Sequence, residues 1–142
     1  MATDSLASAE AQDPRVRDAL RSAATARARA YAPYSEFHMG AAVITDRNDV
    51  VPGALVENIS LGLAMCAERT ALFATVAQDA GRPEVLALES RRTDGKLTWP
   101  CGACLQVALE LGGPELLVVV TDGKEVLTAC LNELAPNLPV KS

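Results

Sequence analysis

Three cysteines and one glutamate stand in two short motifs, Cys66-Ala67-Glu68 and, further along, Pro100-Cys101-Gly102-Ala103-Cys104. Thiolates suit zinc, and a structural zinc site closes with four protein ligands, whereas a catalytic one keeps three and leaves a position for water. The pattern supplies three and has a carboxylate to spare. Glu68 lies two positions past Cys66, so its side chain points past an ion held there and toward the water, where it can serve as general base and then general acid. The spacing of Cys101 and Cys104 puts both sulfurs on one face of a first helical turn. Both motifs read as helix starts, where free N–H groups and the positive end of the dipole stabilise thiolate. Three thiolates leave one zinc with a net negative charge, which reduces its Lewis acidity. Arg69 is placed to donate to a cysteine sulfur and withdraw part of that charge. The plainer alternative for Arg69 is a surface ion pair.

The elements that must position these groups follow from the apolar pattern. Asp13-Pro14 is an N-cap followed by proline in the first turn, and Val16, Leu20, Ala23, Ala24 and Ala28 recur at helical spacing up to Ala30. Residues 39–45 read as an apolar strand, 46–49 as a turn, and 50–57 as a second strand hairpinned to the first. Residues 58–65 form a loop into a helix that begins near Cys66, carries Ala67, Ala71, Leu72 and Val76 inward, and ends at Gly81, with Pro83 as a stop signal. Residues 85–88 are a short buried strand and 90–99 a polar loop. A helix opens at Pro100 with Cys101, Val107, Ala108 and Leu111 along one side, and Gly112-Gly113 terminates it. Residues 116–120 are a core strand, Asp122-Gly123 a turn into 126–128, and 132–134 a last short helix. Strands alternating with helices after an opening hairpin predict a three-layer α/β/α domain around a central mixed sheet.

The bulk properties exclude several classes. At 142 residues the expectation is a tail over residues 1–13 and a single domain over 14–142, large enough to bury roughly two-thirds of its unfolded surface without disulfides. Thirteen basic against eighteen acidic residues give a net charge of -5, and no Lys/Arg block marks a nucleic-acid partner. Residues 1–12 lack the apolar core of a secretory signal, and Asp13 and Asp18 argue against a transit peptide. No apolar run approaches the roughly 20 residues of a membrane helix, so no membrane partner is expected. Four cysteines without an export signal suit a reducing cytoplasm.

From about Ala32 to Pro136 the chain resembles the cytidine deaminases of the small, homotetrameric type with a three-cysteine zinc site. The motifs that carry the resemblance are Tyr31-Ala-Pro-Tyr-Ser-Glu-Phe-His-Met-Gly-Ala-Ala42, Val56-Glu57-Asn58, Cys66-Ala-Glu-Arg-Thr-Ala71 and Pro100-Cys-Gly-Ala-Cys104. The resemblance implies Zn2+ on Cys66, Cys101 and Cys104, Glu68 as the acid/base, and hydrolytic loss of ammonia from C4 of a cytosine nucleoside. It also implies that Phe37 stacks on or flanks the pyrimidine, that Glu57 accepts a hydrogen bond from a ribose hydroxyl, and that the backbone around Ala67 reads the ring. A homo-oligomer is implied as well, a tetramer whose neighbours complete each pocket.

The chain departs from the family pattern at the substrate's rim. Leu55 stands where the family has an asparagine that helps hold the sugar, Leu61 where an aromatic is usual, and Pro139 where members often have phenylalanine. Sugar recognition is expected to weaken while the zinc centre stays intact, so a cytosine with a different or more apolar substituent should fit better than cytidine. A lost hydrogen bond of this kind is worth roughly 1 to 3 kcal/mol. A deaminase of a modified cytosine, of the blasticidin S type, is the alternative within the class. Outside it stands a non-catalytic zinc-stabilised module, which needs a fourth ligand from Cys130 or His38. A Cys101–Cys104 redox pair leaves Cys66 and Glu68 unexplained. Cys130 reads as a small buried hydrophobe and His38 as structural.

Overall fold

A computed structural model describes residues 13–140. Residues 1–12 of the expected tail, and Lys141 and Ser142, lie outside the described residues. Five strands form one sheet in the order β2-β1-β3-β4-β5: β1 (Met39–Thr45), β2 (Val50–Ala54), β3 (Pro83–Ser90), β4 (Leu117–Thr121) and β5 (Val126–Cys130). β3 and β4 are parallel and every other neighbouring pair is antiparallel. The predicted mixed sheet is therefore present.

Period-two alternation in the central strands builds the three layers. Ala42, Ile44, Val85, Ala87 and Val119 face α1 (Pro14–Ala28), which contributes Val16, Ala19 and Ala23. Ala41, Val43, Leu86, Leu88, Val118 and Val120 face α2 (Ala67–Ala77) and α3 (Gly102–Gly112). The last helix, α4 (Leu131–Leu134), follows β5 directly.

Several local expectations are corrected. Asp13 does cap α1, its carboxylate accepting from the Arg15 N–H at 2.9 Å. The buried stripe of α1, however, is Val16, Ala19, Ala23 and Ala26 rather than the row through Leu20, Ala24 and Ala28. Alanines face inward because α1 lies almost on β1: a Cβ on Gly40 would sit 2.1 Å from the Ala23 carbonyl oxygen. β2 stops at Ala54, and Val56 makes only isolated bridges to Tyr31 and Met65. In α2, Val76 is 60% exposed and Thr75 takes the inner position, its hydroxyl satisfied by the Ala71 carbonyl at 2.8 Å. α2 ends at Ala77, four residues before Gly81, and Pro83 opens β3 instead of only stopping a helix. β3 runs to Ser90, twice the expected length. In α3, Leu105 and Leu109 set the rotation, so Cys104 turns inward with them while Cys101, Val107 and Leu111 lie off the buried stripe. Cys130 is half-buried at the N-cap of α4, its N–H donating to Glu133 Oε1 at 2.8 Å, and not a core hydrophobe.

This topology gathers one rim of the sheet. Gly40 pairs with Ala54 and Met39 with Ser90, so the start of β1, the end of β2 and the end of β3 lie together. Both α2 and α3 begin from this rim, which is where open α/β sheets place their ligands.

Candidate active site

Cys66 and Cys101 are the N-cap residues of α2 and α3, both with extended backbone, and neither sulfur caps its own helix. Forgoing a Ser, Thr, Asp or Asn cap costs about 1 kcal/mol per helix. The sulfurs are used elsewhere. Those of Cys66, Cys101 and Cys104 all lie within 4.8 Å of one another, and Cys101 and Cys104 are 3.5 Å apart. Sulfurs bound at about 2.3 Å to one tetrahedral ion would be roughly 3.8 Å apart. The trio thus has the dimensions of a half-built zinc tetrahedron. Among the described residues this is the one group of three or more such ligands, and neither Cys130 nor His38 belongs to it. His38 instead keeps Nδ1 3.0 Å from the Glu36 carbonyl oxygen.

Glu68, in the first turn of α2, is 2% exposed, and its Oε1 is buried without a hydrogen-bond partner among the described residues. Burial pushes its carboxyl up to about 7, opposed first by a hydrogen bond from its own backbone N–H, reinforced by the nearby Cys66 charge and opposed again by a Cys104 hydrogen bond. A carboxyl poised near neutrality can both accept and release a proton. An orphaned buried oxygen beside three convergent sulfurs fits a soft cation with one position left for a water.

Arg69 donates from Nη2 to Cys66 Sγ at 3.4 Å. The Cys66 thiol is lowered to about 5, first by its hydrogen bond with Cys104 and then, against burial, by Arg69. Cys104 moves the opposite way because the hydrogen bond to Cys66 and its burial keep its proton on. The two shifts describe one shared proton, and the direction that stands is that Cys66 ionises first. Arg69 is held further protonated by the same contact.

Ala67 is fully buried, and its carbonyl accepts the Thr70 hydroxyl at 2.8 Å; the same hydroxyl lies 2.9 Å from the Ala54 carbonyl, tying α2 to β2. Glu57 is not a free solvated carboxylate. It accepts from the N–H groups of Tyr34 (2.9 Å) and Ser35 (3.2 Å) and from the Ser35 hydroxyl. The hydroxyl chiefly, then the N–H groups against slight desolvation, hold it below the usual carboxylate range. Phe37 is half-buried and borders a cavity of about 470 Å³ with Ser35, Arg91, Arg92, Asp94 and Thr98. Neither the sulfurs nor Glu68 line that cavity. Ser35, Arg91, Arg92 and Thr98 were not singled out by the sequence; Ser35 lies inside the 31–42 motif, and the others in a polar loop without periodic signal.

The family described as "Cytidine and deoxycytidylate deaminase zinc-binding region" matches residues 14–121. The chain belongs to this deaminase family and carries its zinc-binding region. It is 48% identical over 100 residues to a cytidine deaminase of Mycobacterium tuberculosis, covering 70% of this chain and 74% of that one. A cytidine deaminase of Halalkalibacterium halodurans is 45% identical over 92 residues, covering 65% and 68%. The crystal structure of cytidine deaminase from Burkholderia pseudomallei superposes with a TM-score of 0.80 at 40% identity, covering 87% of this chain and 98% of that one.

Proposed function

We propose that the chain is a zinc-dependent hydrolase that converts a cytosine nucleoside, cytidine or deoxycytidine, to the uracil nucleoside and ammonia. The observation that carries this reading is the convergence of the Cys66, Cys101 and Cys104 sulfurs beside the orphaned Glu68 oxygen. The three sulfurs would hold the zinc, and zinc held there supplies a Lewis acid that makes water nucleophilic at neutral pH. Glu68 would take one proton from the attacking water and pass it to a ring nitrogen, then take the second from the hydroxyl newly formed on C4 and pass it to the departing amine, so that ammonia leaves as the uracil carbonyl forms; the glutamate is the general acid/base in zinc deaminases generally. Arg69 withdraws charge from Cys66. Phe37 flanks the pyrimidine, Glu57 accepts from a sugar hydroxyl, and the backbone at Ala67 reads the ring.

The reading extends to one deaminase domain over residues 14–142, a cytoplasmic place in pyrimidine salvage, and a homotetramer. Exposed Ile59 (82%), Leu61 (88%), Leu63 (68%) and Phe73 (46%) support self-association, since a monomer seldom leaves so many large apolar side chains in water. No helix among the described residues is long and apolar enough to cross a membrane.

A second reading, deamination of a modified cytosine, is favoured by Leu55, which packs against the core cluster and offers no polar side chain to a sugar. Product absorbance with cytidine, deoxycytidine, cytosine and a bulky cytosine nucleoside separates the two. Highest kcat/KM with cytidine at ordinary family efficiency rejects the second reading. A Glu68→Gln variant that keeps zinc and loses turnover supports the enzyme; zinc-loaded wild type inert on every cytosine compound returns the choice to a binding module.

A further inference from the structure

Glu57 and Phe37 come from separate segments, one just past β2 and one just before β1, and a single side chain connects them. The Ser35 hydroxyl donates to Glu57 Oε2 while its oxygen accepts from the Phe37 N–H at 3.0 Å. A hydroxyl has one donor and two acceptor positions, so both bonds form together. The Ser35 N–H adds a second link to Glu57.

The backbone between them is unusual. Glu36 has φ 58°, a left-handed conformation that a non-glycine residue adopts at a cost and that tends to persist where a site needs it. It folds the Phe37 N–H back onto Ser35. Local bonds sustain it: the Glu36 N–H donates to the Ala32 carbonyl at 2.9 Å, and His38 Nδ1 stands 3.0 Å from the Glu36 carbonyl oxygen. On its open side Phe37 borders the 470 Å³ cavity, so packing does not hold the ring from that direction. The bond from its N–H to Ser35 fixes where the side chain leaves the backbone.

We infer that Ser35 is a positioning residue that registers Phe37 against Glu57, so that ring and sugar are received as one rigid unit. The inference rests on the roles given to Phe37 and Glu57 in the proposed function. Ser35 lies outside the sulfur trio and Glu68, so its loss should weaken binding and leave the chemical step alone.

Steady-state kinetics with cytidine on the zinc-loaded full chain test this, using Ser35→Ala, Ser35→Thr, Glu57→Gln and the Ser35→Ala/Glu57→Gln double variant, with melting temperatures alongside. Ser35→Ala should raise KM about tenfold, as for one hydrogen bond to a charged acceptor, with kcat unchanged and a fall in Tm no larger than that of Glu57→Gln. Ser35→Thr should restore KM, and the double variant should be no worse than Glu57→Gln alone. An unchanged KM in Ser35→Ala, a fall in kcat with it, a Tm below that of Glu57→Gln, or full additivity of the two substitutions overturns the inference while the functional reading stands. Wild type inert on cytidine overturns that reading and this inference with it.

Discussion

The Arg69 guanidinium reaches back three residues to the Cys66 sulfur, 3.4 Å away, on the first turn of the helix that also carries Glu68. One turn of helix thus presents a sulfur, a guanidinium that donates to it and a buried acid.

Replacing Arg69 by Ala leaves all three sulfurs but removes the donor that, in the function proposed, offsets their negative charge. Groups in this position affect metal affinity or activity by about 10- to 100-fold. The expected outcome is zinc still bound at one per chain by metal analysis, and kcat reduced within that range. Wild-type kcat in the variant would show the contact to be an ordinary ion pair.

Glu57 provides a test by pH. Its carboxyl is held below the usual range by Ser35 and by two N–H groups, so ionised Glu57 stabilises the 31–38 loop at neutral pH. For a depressed carboxyl that contribution is complete above the unfolded value, about 4.3 for Glu, and is lost as pH falls through the lower folded value. The Tyr34 and Ser35 amide resonances should therefore titrate below about pH 4.3 and move together. In Ser35→Ala the midpoint should rise. A midpoint at the ordinary value in wild type would mean that these bonds do not form in solution.

The strands and the thiols were legible in the sequence, and the reasons are local. Residues 39–45 form β1 as expected because a short continuous apolar run suits a strand buried on both faces, and Cys66 and Cys101 mark helix starts through Pro100 and the apolar rows behind them. What escaped depends on distant partners. Val76 looks inward by spacing, but Thr75 can be buried once Ala71 accepts its hydroxyl. The α1 stripe turns on how closely Gly40 lets β1 approach. Ser35 gains its role only when a left-handed Glu36 and a carboxylate 22 positions away meet it. Periodicity encodes none of these.

Zinc should also hold the molecule together, since Cys66 and Cys104 belong to different helices. A ligand bound only by the folded state stabilises by about 2.7 kcal/mol when its free concentration is a hundred times Kd. Chelation should lower Tm, and returning zinc should restore it. Cys104→Ala should melt at one temperature with or without zinc. A wild-type Tm indifferent to zinc would contradict a site shared between α2 and α3.

The placement of Cys66 and Glu68 depends in turn on a residue outside the site. A Cβ on Gly53 of β2 would lie 2.3 Å from the Ala71 N and 2.7 Å from the Ala67 carbonyl oxygen, both backbone atoms of α2. A side-chain end can swing away from such a clash, but a helix backbone must move as a body. Gly53→Ala therefore has to push α2 off the sheet edge, straining the Thr70 hydroxyl contact with Ala54 and carrying Cys66 and Glu68 away from Cys101 and Cys104. Overpacking of this kind costs about 1–3 kcal/mol in stability. The activity should suffer more than the fold, because misplacement of reacting groups by about 1 Å can cost a hundredfold in rate. Urea unfolding and kcat measured on one zinc-loaded preparation decide it. The expected result is a folded variant with a lower unfolding midpoint and a disproportionate loss of kcat. Wild-type activity in a folded Gly53→Ala chain would show that β2 does not set the position of α2.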